Sequence, residues 1–376
     1  MSVLGKTLGI VGVVGGVVGA SVLTGKTAQR AALKRYRGAI TDVDEGYDRL
    51  SPDREYSVVA SDGVVLHVEE DGPRNAALTV IFVHGWALRL GSWHYQRLGL
   101  AGRGFGGLTS TGKPARGPQV RMVFYDQRSH GKSTRGADPH PPIAQLASDL
   151  SDVIKTAAPE GQIVLIGHSM GGMATLGLAG SDPDLFAERV VGIGLLSTAA
   201  TQVPNSEVGR IFLSRGNPVV KVVAFTATRY GKVIERTRAS TRDAVWLATR
   251  VIGFARKDVP AALVDYLDDM LSNTPIEVIA DFVPGVLAHD QSAALPAMVG
   301  VPTLVLCGDT DRITPPSQSA FIAAALPGAE YVLLEHAGHL AMMEAPEETN
   351  DALRRLLRRA VAFAAERRDR AVSSSA

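Results

Sequence analysis

The sequence holds a single cysteine, Cys307, so no disulfide can form within the chain. That fits a reducing compartment without excluding export. Cys307 lies in an apolar run and reads as a packing residue. An excess of one charge is missing too. Lys and Arg number 39 against 38 Asp and Glu, a net charge of +1. No bulk basic field is available to hold nucleic acid, and no such partner is expected. Gly107-x-x-x-x-Gly112-Lys113 falls short of a phosphate-binding loop. Pro114 stands where Ser or Thr should hold magnesium, and no strand precedes it. His336-x-x-His339 lacks the i, i+4 spacing of a helical zinc pair, so no metal or other cofactor is expected.

What remains is ordinary for a globular protein: 45% hydrophobic and 20% charged residues in 376. The exception is residues 7–25, which carry no charged side chain. At about 1.5 Å per residue they reach roughly 28 Å, near the thickness of a bilayer core. Three G-x-x-x-G spacings, from Gly5 to Gly19, would let two such helices pack closely. A membrane anchor is the leading expectation. A signal peptide cleaved after Val18-Gly19-Ala20, which would export the protein, is the alternative. Lys26, Arg30, Lys34, Arg35 and Arg37 precede the first acidic residue, Asp42. The positive-inside rule then puts the rest of the chain on the cytoplasmic side.

Beyond residue 50, short β-branched runs alternate with helical spacing. Glu55–Ala60 and Val64–Glu69 flank Ser61-Asp62-Gly63 as a hairpin. Strands are predicted over Ala77–Val83, Val120–Tyr125, Ile163–Ile166, Arg189–Leu196, Val301–Cys307 and Glu330–Leu334, with helices between most of them. This is an α/β class: a mostly parallel, doubly wound sheet. Residues 201–285 interrupt it with helical apolar spacing and are expected to form a cap. Trp246, Phe254, Phe282 and Val286 are its candidate wall residues, or simply its own core. The expected division is 1–50 anchor and linker, 51–200 core, 201–285 cap, 286–366 core and 367–376 polar tail.

The chemistry centres on Gly161–Gly172, where an apolar strand runs into Gly167-His168-Ser169-Met170-Gly171 and then a helix. A sharp strand-to-helix turn crowds the backbone, so a Cβ at Gly167 or Gly171 would collide. Ser169 sits at the tip as the candidate nucleophile. A serine hydroxyl needs a base, and the base needs a carboxylate to orient it. His339, after the last strand, is the candidate base, with His336 as rival. Asp311 is the candidate carboxylate, with Asp309 as rival. His168 points away from its neighbour and reads as structural. Met170 N–H and Trp86 N–H are the candidate oxyanion donors.

These residues together resemble the α/β-hydrolase superfamily over Ser57–Ala365. The matching stretches are His84-Gly85-Trp86, Asp126 to Ser133, Gly167–Gly172, Gly308–Asp311 and Ala337-Gly338-His339-Leu340. The likeness is to its capped serine esterase and haloperoxidase-like branches. Ser169 stands where epoxide hydrolases and dehalogenases of this shape carry aspartate, which points to acyl-enzyme chemistry. Ser129 stands where the family often has glycine. The resemblance implies a hydrolase of carboxylic esters or thioesters acting on a small acyl substrate. The apolar cap and N-terminal run favour a lipid-like one. Acyl transfer, perhydrolysis, and ligand binding without catalysis are the alternatives. An amidase would want an amine-holding cluster such as Asp265, Asp268 and Asp269.

Overall fold

The computed structural model describes residues 45–101, 120–202 and 242–375. Residues 7–25, their basic flank, the loop at 107–113 and the first part of the expected cap lie outside the described residues. Among those that are described, no helix is long and apolar enough to cross a membrane.

The apolar runs form eight strands: β1 (Arg54–Val59), β2 (Val65–Asp71), β3 (Leu78–Val83), β4 (Val120–Tyr125), β5 (Gln162–His168), β6 (Val190–Leu196), β7 (Thr303–Gly308) and β8 (Glu330–Leu334). Their order across the sheet is β1-β2-β4-β3-β5-β6-β7-β8. The β1–β2 and β2–β4 pairs are antiparallel and all others parallel. Parallel strands need crossovers, which helices supply. These are α1 (His94–Leu100), α2 (Ile143–Ala157), α3 (Met170–Ser181), α4 (Pro183–Glu188), α5 (Arg242–Gly253), α6 (Ala261–Asn273), α7 (Ile276–Ala288) and α8 (Pro316–Ala325), while α9 (Ala341–Glu344) and α10 (Pro346–Ser375) follow the last strand. Arg367–Ser375, read from sequence as a polar tail, continue α10.

The central strands are buried on both faces, which explains why they read as unbroken apolar runs. Val80 and Phe82 of β3 join a cluster with Leu304, Leu353 and Leu357. Ile81 and Val83 point the other way, to Leu150, Val153 and Leu165. β3 has β4 on one side and β5 on the other, so the winding reverses there. Ligands bind at the carboxyl ends of strands at such a reversal. The turns after β3 and β5 carry Trp86 and Ser169.

Helices α5 to α7 lie between β6 and β7. Trp246 and Phe254 are buried in the large cluster with Leu263 and Leu267. Phe282 and Val286 of α7 instead pack with Met170 and Met173 of α3, against which Trp86 rests.

Candidate active site

Ser169 holds φ 51° and ψ −119°, a left-handed conformation for a residue with a side chain. Such strain costs about 1–3 kcal/mol and persists only where neighbours enforce it. Ser169 N–H donates to Leu196 O at 3.0 Å and Thr198 Oγ1 donates to Ser169 O at 2.7 Å. The two glycines are steric necessities. A Cβ on Gly167 would lie 2.6 Å from Gly171 O, and one on Gly171 would lie 2.1 Å from Val83 O. Met170 opens α3, so its N–H has no acceptor within the helix. It points from the positive end of the helix dipole.

Asp311 and His339 meet directly. His339 Nδ1 lies 2.9 Å from Asp311 Oδ2 and 3.1 Å from Oδ1. Ile313 N–H, Thr314 N–H and Thr314 Oγ1 also donate to that carboxylate, at 2.9, 3.0 and 2.9 Å. Burial pushes the Asp311 carboxyl up, but His339 and these donors outweigh it and hold it below the usual range. The rivals are elsewhere: Asp309 and His336 are exposed, His336 with φ 57°. Ser169 reaches His339 through its neighbour. The His168 ring lies 4.9 Å from the His339 ring, and His168 Nε2 donates to His339 O at 2.9 Å. Ser169 Oγ makes no hydrogen bond to His339 in this arrangement. Such bonds often tighten only with substrate present.

The loop after β3 passes against the serine: a Cβ on Gly85 would lie 3.2 Å from Ser169 Cβ. Among the described residues no backbone carbonyl accepts from Trp86 N–H. The loop is fixed from outside by two histidines whose role the sequence did not disclose. His84 Nδ1 donates to Gly85 O at 2.8 Å, leaving Nε2 to accept from Gln127 N–H at 2.9 Å. His130 Nδ1 donates to Arg128 O at 2.8 Å, leaving Nε2 to accept from Ala87 N–H at 3.1 Å. Asp126 braces the same turns, accepting from Leu90 N–H and Lys132 N–H at 2.7 and 2.8 Å. The stretch from Asp126 to Ser133 thus serves as a frame for the loop after β3. Within it Ser129 adopts φ 66°, the region that favours glycine.

Burial pushes His84 down to about 4 and His130 and His168 down to about 3. All three are neutral in the fold, whereas an unfolded histidine titrates near about 6.5. Because the folded values lie lower, the unfolded chain binds more protons as pH falls through that range. Stability is therefore flat above about pH 7 and lost below about pH 6, each histidine adding a slope near 1.4 kcal/mol per pH unit. Urea midpoints should hold between pH 7 and 8 and fall steeply between pH 6 and 4. An unchanged midpoint at pH 4 would contradict neutral burial.

Among the described residues, Glu55, His67 and Glu69 bring one ligand atom each within 4.8 Å of one another. Their carboxylates already have cations: Arg97 meets Glu69 at 2.6 Å and Lys132 meets Glu55 at 2.9 Å. The cluster is an ion-pair network bracing β1 and β2.

A sequence model of the alpha/beta hydrolase family matches residues 80–352. RutD of Yersinia enterocolitica, a carbamate hydrolase by name, is 26% identical over 240 residues, 64% of this chain and 78% of its own length. The bifunctional esterase/perhydrolase DCH of Acinetobacter calcoaceticus is 33% identical over 115 residues, 31% of this chain and 35% of its own length. A solved thermophilic esterase from Thermogutta terrifontis superposes with a TM-score of 0.62 at 25% identity, over 82% of this chain and 99% of that one. With the eight-stranded sheet and its winding reversal, these matches establish that the chain belongs to the alpha/beta hydrolase family.

Proposed function

We propose that the chain is a serine hydrolase of carboxylic esters or thioesters, working through an acyl-enzyme on Ser169. The observation that carries this is the strained serine at the β5–α3 turn, whose neighbour His168 packs against His339, with His339 Nδ1 already held by Asp311 at 2.9 Å. His339 Nε2 takes the serine proton as Oγ bonds to the acyl carbon. The oxyanion is held by Met170 N–H and Trp86 N–H. The C–O or C–S bond then breaks and His339 returns the proton to the leaving group. Water, deprotonated by His339, bonds to the acyl carbon and frees the acid and Ser169. Asp311 steadies the imidazolium throughout.

Helices α5 to α7 act in this reading as a cap over the reacting edge. Phe282 and Val286 facing Met170 and Met173 give that edge an apolar wall, which suits an acyl chain. Residues 7–25 would hold the enzyme at a bilayer, with the hydrolase domain on the cytoplasmic side, so a lipid-like ester is the substrate class to try first. The amidase reading is weaker. Asp265 accepts from Trp246 Nε1 at 2.7 Å, and Asp269 pairs with Arg89 at 2.9 Å, so neither awaits an amine.

An alkyl fluorophosphonate should label Ser169 stoichiometrically, as read by peptide mapping. A folded protein that takes up no label would overturn the acyl-enzyme. The likeness to an esterase/perhydrolase supports a second reading, in which hydrogen peroxide accepts the acyl group. Products formed with peroxide present separate the two.

A further inference from the structure

The base-bearing loop is tied to the helical insertion by one buried side chain. Glu344 closes α9, five residues after His339, and is 6% exposed. Its Oε2 accepts from Gly338 N–H at 2.6 Å. Its Oε1 accepts from Ala255 N–H at 2.6 Å and from Arg256 N–H. Gly338 precedes His339, while Ala255 and Arg256 begin the link from α5 to α6. One carboxylate thus takes three backbone donors from two segments far apart in sequence. The Arg256 side chain is engaged elsewhere, with Glu348 at 2.8 Å.

Packing repeats the message. A Cβ on Gly338 would lie 3.1 Å from Ala255 N and 3.2 Å from Gly253 O. One on Gly253 would lie 3.2 Å from Leu340 Cδ1. At Gly338 backbone meets backbone, and at Gly253 backbone meets the side chains of Leu267 and Leu340. A displacement of the α5–α6 link must carry Gly338 with it. His339 is held on its other flank by His168 Nε2 on its carbonyl.

We propose that Glu344 is a positioning residue that locks the His339 loop to the α5–α6 link, so that the insertion sets the placement of the base. The inference rests on the acyl-enzyme reading for its catalytic consequence, though the lock itself does not. Removing the carboxylate leaves three backbone N–H groups, one buried and two part-buried, with a weaker acceptor or none. The imidazole then loses its placement, and misplacement of this kind costs about 10- to 100-fold in rate.

The test uses full-length wild type, Glu344→Gln and Gly338→Ala. Gln keeps one acceptor oxygen and replaces the other by a donor, which faces an N–H. The alanine methyl meets Ala255 N at 3.1 Å and both Gly253 O and Glu344 Oε2 at 3.2 Å, so it crowds the same junction while leaving the carboxylate in the chain. Both variants should lose about tenfold or more in the rate of Ser169 labelling by a small fluorophosphonate. With an ester substrate kcat should fall while KM holds. Hydrogen exchange should speed up together in peptides covering residues 253–257 and 337–340. Wild-type labelling rates in folded Glu344→Gln, or faster exchange confined to one of the two peptides, would overturn the lock. A wild-type protein that takes no label while exchange still rises jointly in the variants would sink the acyl-enzyme reading and leave the lock standing.

Discussion

Ser169→Ala is expected to reduce ester turnover by at least about 10⁴-fold while the fold persists. The acyl-enzyme route requires the Oγ–carbon bond, and the only group placed at the turn between β5 and α3 to form it is the serine hydroxyl. Loss of the oxygen leaves the oxyanion donors and the base in position, so a small residual rate over water should survive. The backbone of the turn is enforced by Leu196 O, Thr198 Oγ1 and the Gly167–Gly171 contact, none of which involves the hydroxyl. Circular dichroism and the urea midpoint should therefore match wild type. Steady-state hydrolysis of a short aryl ester reads the rate, and turnover within tenfold of wild type would exclude Ser169 as nucleophile.

Asp311→Asn is expected to cost on the order of 10³–10⁴-fold in kcat with little change in KM. The introduced amide oxygen can keep the bonds from Ile313 N–H and Thr314 N–H, now at 2.9 and 3.0 Å. Its NH₂ is then turned toward His339 Nδ1. An imidazole that accepts there carries its proton on Nε2, where it cannot receive one from serine. The fold keeps its shape while the base is in the wrong tautomer. Loss of the negative charge removes stabilisation of the imidazolium as well. Proton NMR of the imidazole N–H reads the tautomer independently of rate. A variant with wild-type kcat would show that Asp311 does not orient the base.

Much of this was legible in the chain because it depends on local spacing. The glycines around Ser169 announce a crowded turn, and the structure gives their Cβ clashes at 2.6 and 2.1 Å. Unbroken apolar runs announce strands covered on both faces. Asp311 is preferred to Asp309 because it ends its loop before Thr314-Pro315, and His339 to His336 for its Ala-Gly setting, and it is Asp311 and His339 that meet, at 2.9 Å. What stayed hidden depends on contacts between distant segments. Nothing near Glu344 in sequence says that its carboxylate will meet Ala255. Nothing in the sequence says that the ring nitrogens of His84 and His130 will bind backbone. Trp246 and Phe254 have the helical spacing of a wall, yet they face the large cluster because α5 and α6 pack there. Ser129 in place of glycine becomes meaningful only with its φ of 66°.

The order of strands also determines when the enzyme becomes competent during synthesis. The loop after β3 and the serine turn after β5 leave the ribosome long before β7 and β8, which carry Asp311 and His339 at their ends. β7 can pair only once β6 is in place, and β8 only on β7. Domains whose contacts join distant segments complete such pairings last. On the acyl-enzyme reading, a nascent chain lacking these two strands holds a serine with no base. On that reading hydrolytic activity is a property of the finished sheet, and an unfinished chain is harmless to the esters around it.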